Sequence, residues 1–180
     1  MKVTAFGAST SKSSINKALA TYAASLTEAA EINILDLNDY DNPIFNEDTE
    51  KEIGKSETAQ NFIDEIASSD LVIISFAEHN GTYTAAYKNL FDWASRIEQK
   101  FFHNKPMIFL STSPGPGGAK SVLNTAVTSA PFFGANLQAS LSIPSFYDNF
   151  DLEKNELSNQ GLKSELNELI NNYNLLTKQA

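Results

Sequence analysis

The stretch that most constrains the fold of this chain is a continuous apolar run near its middle, Leu71–Phe76, which reads Leu-Val-Ile-Ile-Ser-Phe. A strand with one face in solvent alternates apolar and polar residues. A strand of a parallel sheet is covered by helices on both faces and is apolar almost throughout. We therefore expect Leu71–Phe76 to be a central strand of a parallel sheet.

Strand and helix patterns alternate along the rest of the chain. Four further strands are predicted, at residues 2–6, 31–37, 106–111 and 136–143. Helical spacing of apolar residues begins near residues 15, 59, 87, 119 and 162. Five strands that alternate with five helices predict an α/β fold, in which a doubly wound parallel sheet lies between two layers of helices. In the five-stranded order 2-1-3-4-5, ligands bind at the carboxyl ends of the strands, between the first and third strands.

The length of 180 residues is typical of one domain, and we expect a single domain over residues 1–180. Two polar stretches, residues 38–56 and 144–158, show no clear period. We predict that both are loops, and they are the only candidates for linkers.

The composition excludes several classes of function. Thirteen basic and 22 acidic residues give a net charge of −9, which disfavours binding to nucleic acid and to anionic membranes. No apolar run approaches the ~20 residues of a transmembrane helix, so we expect no membrane insertion. The first residues have too short an apolar core for a signal peptide, so we expect a cytoplasmic location. Because the sequence has no cysteine, it offers no thiolate and no Cys-ligated metal, and redox chemistry would need a bound cofactor.

The loop between the first strand and the first helix is rich in hydrogen-bond donors. Ser9, Ser11, Ser14 and Asn16 can each donate, and Lys12 carries the positive charge of the loop. Backbone N–H groups and the positive end of a helix dipole make such a position an anion site. The alternative is an ordinary serine-capped helix with no ligand. The loop alone does not decide between the two, although no dinucleotide or Walker fingerprint fits it.

A second loop, residues 77–83, directly follows the apolar strand. Its backbone amides could hydrogen-bond the edge of a flat heterocycle, and Gly81 would allow close approach. His79 is either a solvated loop histidine or a candidate for proton transfer. Glu78 is interpreted as a residue that orders the loop or contacts another subunit.

A third loop, residues 111–118, contains three glycines and two prolines. It is either a stiff turn or a backbone surface that lies against a planar ring. The three loops leave the carboxyl ends of the first, third and fourth predicted strands, so we expect them to converge on one crevice.

Aromatic residues cluster in the second half of the chain. We expect most of them to lie in the core, as we do for Trp93, and some to form a subunit interface or a lid over a stacked ligand. The clustered residues are Phe101, Phe102, Phe132, Phe133, Phe146, Tyr147 and Phe150.

In this order and at these positions, the three loops resemble the NAD(P)H-dependent FMN reductase family of flavodoxin-like proteins, which includes quinone, chromate and azo-dye reductases. The family pattern G-S-x-R-x-x-S-x-N is matched at residues 8–16. The pattern P-E-Y-N-G/S and the following K-N-x-x-D-W are matched at residues 77–81 and 88–93. The pattern S-x-S-x-G-x-G-G is matched at residues 111–118. The second of these matches is the most specific.

The resemblance implies that Ser9, Ser11, Ser14 and Asn16 hold the phosphate of FMN, and that the third loop aims amides at the pyrimidine edge of the flavin. The full set of cofactor-binding residues that it implies is Ser9, Ser11, Lys12, Ser14, Ile15, Asn16, Ala77, Glu78, His79, Asn80, Gly81, Thr112, Ser113 and Gly115. The chain departs from the family where Ser11 replaces an arginine, Ala77 a proline and His79 a tyrosine. Because an arginine fork is a better phosphate partner than a hydroxyl, the first departure weakens phosphate affinity in principle.

The resemblance implies a three-layer flavodoxin-like fold and an oxidoreductase. Such an enzyme takes a hydride from NADPH or NADH onto FMN and passes electrons to a quinone, free flavin or similar small acceptor, with ping-pong kinetics. It also implies a homodimer or homotetramer. Two other interpretations stay open. A flavodoxin-like electron carrier is favoured by the acidic surface, and a flavin-free binding or scaffold protein is favoured by the missing loop arginine.

Overall fold

The computed structural model describes residues 1–177. In chain order its strands are β1 (Lys2–Gly7), β2 (Glu31–Ile34), β3 (Leu71–Phe76), β4 (Glu78–His79), β5 (Thr82–Tyr83), β6 (Pro106–Thr112), β7 (Asn136–Ile143), β8 (Phe150–Asp151) and β9 (Glu156–Leu157). Its α-helices are α1 (Ile15–Ser25), α2 (Glu47–Ile53), α3 (Glu57–Ala67), α4 (Ala85–Ile97), α5 (Lys120–Ser129), α6 (Phe146–Asn149) and α7 (Gln160–Thr177). Two 3₁₀ helices cover Leu37–Tyr40 and Ala130–Phe133.

The centre of the molecule is a parallel five-stranded sheet in the order β2-β1-β3-β6-β7. All six residues of β3 are buried, and the strand pairs with β1 on one side and β6 on the other. Because β4 and β5 form a separate hairpin, the five sheet strands are the predicted ones in the predicted order 2-1-3-4-5. The doubly wound α/β fold is therefore confirmed.

Two hydrophobic cores cover the two faces of this sheet. Successive residues of a strand point to opposite faces, so Val72 and Ile74 pack with helices α3, α4 and α5, whereas Leu71 and Ile73 pack with α1 and α7. This double coverage explains why the sequence of β3 is apolar and does not alternate. Trp93 is 1% exposed, as expected of a core residue.

Gly7 ends β1 where the strand packs closely against the start of α1. A Cβ atom at this position would lie 2.4 Å from the backbone nitrogen of Lys17 and 2.8 Å from the backbone carbon of Asn16. Both neighbours belong to the backbone and cannot rotate away. Glycine therefore allows the close strand-to-helix approach that sets the position of the first loop.

Three segments differ from the prediction. The second strand ends at Ile34 instead of residue 37, and the 3₁₀ helix Leu37–Tyr40 begins at the last residue of the predicted strand. The expected loop at 38–56 contains the rest of this 3₁₀ helix and helix α2. Helix α2 buries none of its side chains, so it has no apolar stripe that sequence periodicity could detect. The expected loop at 144–158 contains α6 and the β8–β9 hairpin.

The second loop also has more structure than expected, because residues 78–83 form the β4–β5 hairpin. Its two turn residues, Asn80 and Gly81, have φ values of 52° and 83°. The Asn-Gly pair is the usual signal of a two-residue hairpin turn, but strands of two residues are too short to show alternation.

Among the described residues, none of the helices is long and apolar enough to cross a membrane.

Candidate functional site

The three predicted loops line one cleft of about 290 Å³ at the carboxyl edge of the sheet. Ten of the predicted residues form its wall: Ser9, Ser11, Ser14, Ile15, Asn16, Ala77, Glu78, His79, Thr112 and Ser113. Four others lie in the same loops outside this wall: Lys12, Asn80, Gly81 and Gly115. Three wall residues were not in the predicted set: Ser13, Pro114 and Tyr147.

The structure shows one of the two functions that the sequence left open for the first loop, the capping of α1. Ser14 is the N-cap of α1, and its hydroxyl oxygen accepts a hydrogen bond of 3.1 Å from the backbone N–H of Lys17. The Ser9 hydroxyl oxygen likewise accepts from the backbone N–H of Ser11 at 3.1 Å. Both hydroxyls keep their own hydrogen for donation into the cleft. A capped helix and an anion site are therefore compatible here.

Asn16 ties the start of α1 to the ends of two strands. Its side chain is almost fully buried; Oδ1 accepts from the Ser75 hydroxyl at 2.7 Å and from the backbone N–H of Thr112 at 3.0 Å. Its Nδ2 donates to the carbonyl oxygen of Thr112 at 3.1 Å. These contacts fix the position of the first loop relative to β3 and β6. A direct contact of Asn16 with a phosphate stays a prediction.

The second loop is held by two polar contacts to its surroundings. A carboxylate oxygen of Glu78 accepts a hydrogen bond of 2.9 Å from the backbone N–H of Val122, in the first turn of α5. The N-cap residue of α5 is Ala119, whose side chain cannot cap the helix. The contact with Val122 agrees with a loop-ordering role for Glu78, and a subunit contact of Glu78 stays a prediction. Thr84 caps α4 and donates its hydroxyl to the carbonyl oxygen of Ala8 at 2.9 Å, which joins the hairpin to the first loop. His79 lies exposed on the cleft wall.

The third loop is fixed by hydrogen bonds to β7 and to the segment that follows it. The hydroxyls of Ser111 and Ser142 both donate to the carbonyl oxygen of Gly118, at 2.7 and 2.8 Å. Gly118 has a φ of +60°, and a Cβ there would lie 2.3 Å from the Ser142 hydroxyl, so glycine alone fits this turn. Thr112 donates its hydroxyl to the carbonyl oxygen of Ile143 at 2.8 Å. The loop is therefore a rigid wall.

The wall of the cleft is poor in positive charge. Among the described residues that line it, none is lysine or arginine, and Glu78 is the one acid. Lys12 is exposed and borders an adjoining cleft of about 340 Å³. Lys17 pairs with Asp36 at 2.7 Å, and this hydrogen bond, helped by two from Asn38, lowers the pKa of Asp36 to about 2. An anion in the cleft would depend mainly on neutral donors and on the N-terminus of α1.

The most specific sequence match is divided between two places, since residues 77–79 line the cleft and residues 88–93 lie away from it. Asn89 donates to the carbonyl oxygen of Asn42 at 3.0 Å and accepts from the backbone N–H of Phe45 at 2.8 Å. Trp93 donates its indole N–H to the carbonyl oxygen of Pro43 at 2.8 Å. Two side chains of α4 therefore hold residues 42–45 against the helix.

The strand order and the cleft at its switch point define a flavodoxin-like protein with a candidate anion site. Residues 1–147 match the family model described as NADPH-dependent FMN reductase. The chain belongs to this family and is an oxidoreductase.

Three relatives share sequence with the chain. The chain is 27% identical to an uncharacterized protein of Mycoplasma pneumoniae, over 79% of this chain and 87% of that protein. It is 32% identical to an NAD(P)H-dependent FMN reductase of Pseudomonas aeruginosa, over 42% of this chain and 40% of that protein. It is 31% identical to a quinone reductase of Escherichia coli, over 44% and 43% respectively. The alignments thus span less than half of these two reductases.

Two solved structures show the likeness in fold. A flavoenzyme NAD(P)H:(acceptor) oxidoreductase from Paracoccus denitrificans superposes with a TM-score of 0.77 at 22% identity, covering 96% of this chain and 94% of that chain. An FMN-dependent NADH-azoreductase from Bacillus anthracis, solved in complex with FMN, superposes with a TM-score of 0.60 at 14% identity, covering 97% of this chain and 100% of that chain.

Proposed function

We propose that this protein is an FMN-dependent oxidoreductase that takes a hydride from NADPH or NADH and passes electrons to a quinone, free flavin or similar small acceptor. The observation that carries the proposal is the convergence of three loops on one cleft at the carboxyl edge of the sheet. The first loop offers hydroxyls and the N-terminus of α1, which suit a phosphate. In this proposal, backbone amides of the second and third loops contact the edge of a planar ring.

In this proposal the residues of the chain bind and orient the cofactor. Ser9, Ser11 and Ser14 hold the phosphate with Lys12 nearby, and Asn16 keeps their loop in place through Ser75 and Thr112. The remaining predicted residues of the set, Ile15, Ala77, Glu78, His79, Asn80, Gly81, Thr112, Ser113 and Gly115, shape the rest of the site. FMN, when bound, supplies the atom that accepts the hydride and the capacity to deliver electrons onward.

No side chain of the cleft is needed as a nucleophile. Because the Glu78 carboxylate accepts from α5, we assign it to loop order and not to acid–base chemistry. His79 is the candidate for proton transfer, since it lies exposed on the cleft wall. One open cleft favours alternate entry of donor and acceptor, so we propose ping-pong kinetics. Parallel double-reciprocal plots at several acceptor concentrations are the expected result, and intersecting plots would contradict it.

The proposal includes a single FMN-binding domain over residues 1–180, a cytoplasmic location, and a homodimer or homotetramer. Exposed apolar side chains such as Ile44 and Phe132, which are 75% and 70% exposed, are compatible with subunit contacts. Light scattering coupled to size-exclusion chromatography measures the oligomer, and a monomeric mass at micromolar concentration would contradict this part.

Titration with FMN followed by a turnover assay tests the central proposal. We expect the purified protein to bind FMN and to oxidise NADPH or NADH when a quinone or free FMN is supplied. An electron carrier, the alternative that the acidic surface favours, would bind FMN but oxidise neither nicotinamide with any acceptor. A scaffold protein would leave the FMN absorption spectrum unchanged.

A further inference from the structure

Tyr147 stands beside the first loop although it lies more than 130 residues further along the chain. It lines the main cleft and also the adjoining cleft of about 340 Å³. The two clefts share Ser13, Ser14 and Ile15 besides Tyr147. Tyr147 is therefore close to the serine-rich start of α1, at the end of the cleft where an anion would bind.

The backbone around Tyr147 is fixed to the third loop. The backbone N–H of Ser145 donates to the carbonyl oxygen of Gly115 at 2.9 Å, and that of Phe146 donates to the carbonyl oxygen of Ser113 at 3.0 Å. The Phe146 ring is fully buried and meets the Tyr147 ring edge to face, with centroids 5.5 Å apart. These contacts hold α6 against the wall of the cleft.

The side chain of Tyr147 is nevertheless available to a ligand. It is 62% exposed, and within residues 1–177 its hydroxyl makes no hydrogen bond. A phenol O–H is a donor, and a hydrogen bond to an ionised phosphate is stronger than one between neutral groups. Since the described residues of this wall include no lysine or arginine, an anion there depends on neutral donors such as this phenol.

We propose that the hydroxyl of Tyr147 donates to the phosphate monoester of FMN and thereby supports the preference of the site for a phosphorylated flavin over riboflavin. This inference rests on the proposed function. Tyr147 supplies part of the phosphate recognition that an arginine gives at the position of Ser11 in the related pattern. The residue is a binding and specificity determinant, and the hydride transfer itself does not involve it.

The test compares FMN with riboflavin on the full-length protein and on Tyr147→Phe, which removes only the hydroxyl. We expect the Kd for FMN to rise about tenfold, as for the loss of a hydrogen bond to a charged group. The Kd for riboflavin is expected to stay within about twofold, because riboflavin has no phosphate for the hydroxyl to contact. The matched control is Tyr173→Phe, since that hydroxyl lies 3.4 Å from the carbonyl oxygen of Asp70, just before β3 at the opposite edge of the sheet.

A second variant, Tyr147→Leu, separates the hydroxyl from the ring. If the ring stacked on the flavin, Tyr147→Leu would weaken FMN and riboflavin alike while Tyr147→Phe changed neither, and the proposal would be wrong. An unchanged Kd for FMN in Tyr147→Phe overturns it as well. Failure of the unsubstituted protein to bind FMN would instead refute the proposed function, and this inference with it.

Discussion

The floor and the rim of the cleft are built in opposite ways. The floor, which we define as Asn16, Ser75 and Thr112, is buried and joined by hydrogen bonds between 2.7 and 3.1 Å. The rim, which we define as residues 11–13, is exposed, and within residues 1–177 the hydrogen bonds of Ser11 go to Ser9 and Ser14 of the same loop. Buried hydrogen bonds to β3 and β6 thus fix the floor, whereas the rim is exposed and its Ser11 is hydrogen-bonded within its own loop.

This difference leads to separate expectations for stability and binding. Substitutions in the floor or directly beneath it should lower the free energy of unfolding, because they leave buried groups unpaired or overpacked. Substitutions in the rim should change ligand affinity and leave unfolding almost unchanged, because surface positions contribute little to stability.

The largest effect is expected from Gly7→Ala, beneath the floor. The new Cβ would lie 2.4 Å from the backbone nitrogen of Lys17, so β1 and α1 must move apart. We expect a loss of about 3 kcal/mol in the free energy of unfolding, measured by urea denaturation. Gly117→Ala is the control, because a Cβ there meets nothing within 4 Å. Equal stability of the two variants would show that β1 and α1 are not rigidly packed.

The next largest effect is expected from Asn16→Ala in the floor. This change leaves the Ser75 hydroxyl and the backbone N–H of Thr112 without their buried acceptor. We expect about 2 kcal/mol of lost stability by urea denaturation. Asn171→Ala, on an exposed position of α7, should cost almost nothing. A stable Asn16→Ala protein that has lost FMN binding would reverse the assignment and make Asn16 a direct ligand.

Ser14 joins the two regions, because it caps α1 and also lines the cleft. Ser14→Ala should lower the free energy of unfolding by about 1 kcal/mol through the lost cap, and should raise the Kd for FMN about tenfold through the lost donor. Ser14→Asp separates the two effects. Aspartate is a good N-cap, so stability should recover, but its charge repels a phosphate and affinity should fall further. Recovery of both properties would exclude a phosphate beside Ser14.

The sequence could predict the sheet and the place of the cleft for a physical reason. Burial on both faces leaves a continuous apolar run such as Leu71–Phe76, and a parallel strand order sends the loops after β1, β3 and β6 to one edge. Helix α2 was not predicted because none of its side chains is buried, so its sequence has no apolar stripe. The β4–β5 hairpin was not predicted because its strands are only two residues long.

The internal contacts of the site lay beyond sequence reasoning because their partners are distant in the chain. Asn16 forms hydrogen bonds with the backbone of Thr112, 96 residues away, so its place in the floor cannot be deduced from the local sequence pattern. Tyr147 was predicted only as one of several core, interface or lid aromatics. Its position on the wall depends on backbone hydrogen bonds between residues 145–146 and the third loop.

The smallest effect is expected at Asp36, just outside the rim, and it depends on pH. The hydrogen bond from Lys17 lowers the pKa of Asp36 from 3.8 to about 2 in the folded protein. A lowered pKa contributes stability that is complete above pH 4 and is lost as the pH falls toward 2. Both side chains are more than a third exposed, so solvent screening limits the contribution to about 0.5 kcal/mol.

Asp36→Asn is the matching variant, because asparagine can still accept the backbone N–H of Asn38 that the aspartate now accepts. Urea denaturation between pH 7 and pH 2.5 should show a small deficit that shrinks below pH 4, while Asp39→Asn, an exposed neighbour, shows none. A deficit that did not depend on pH would mean that packing, and not charge, holds Lys17. Lys17 would then be held by uncharged contacts, as the residues of the floor are, and not by a solvent-screened charge.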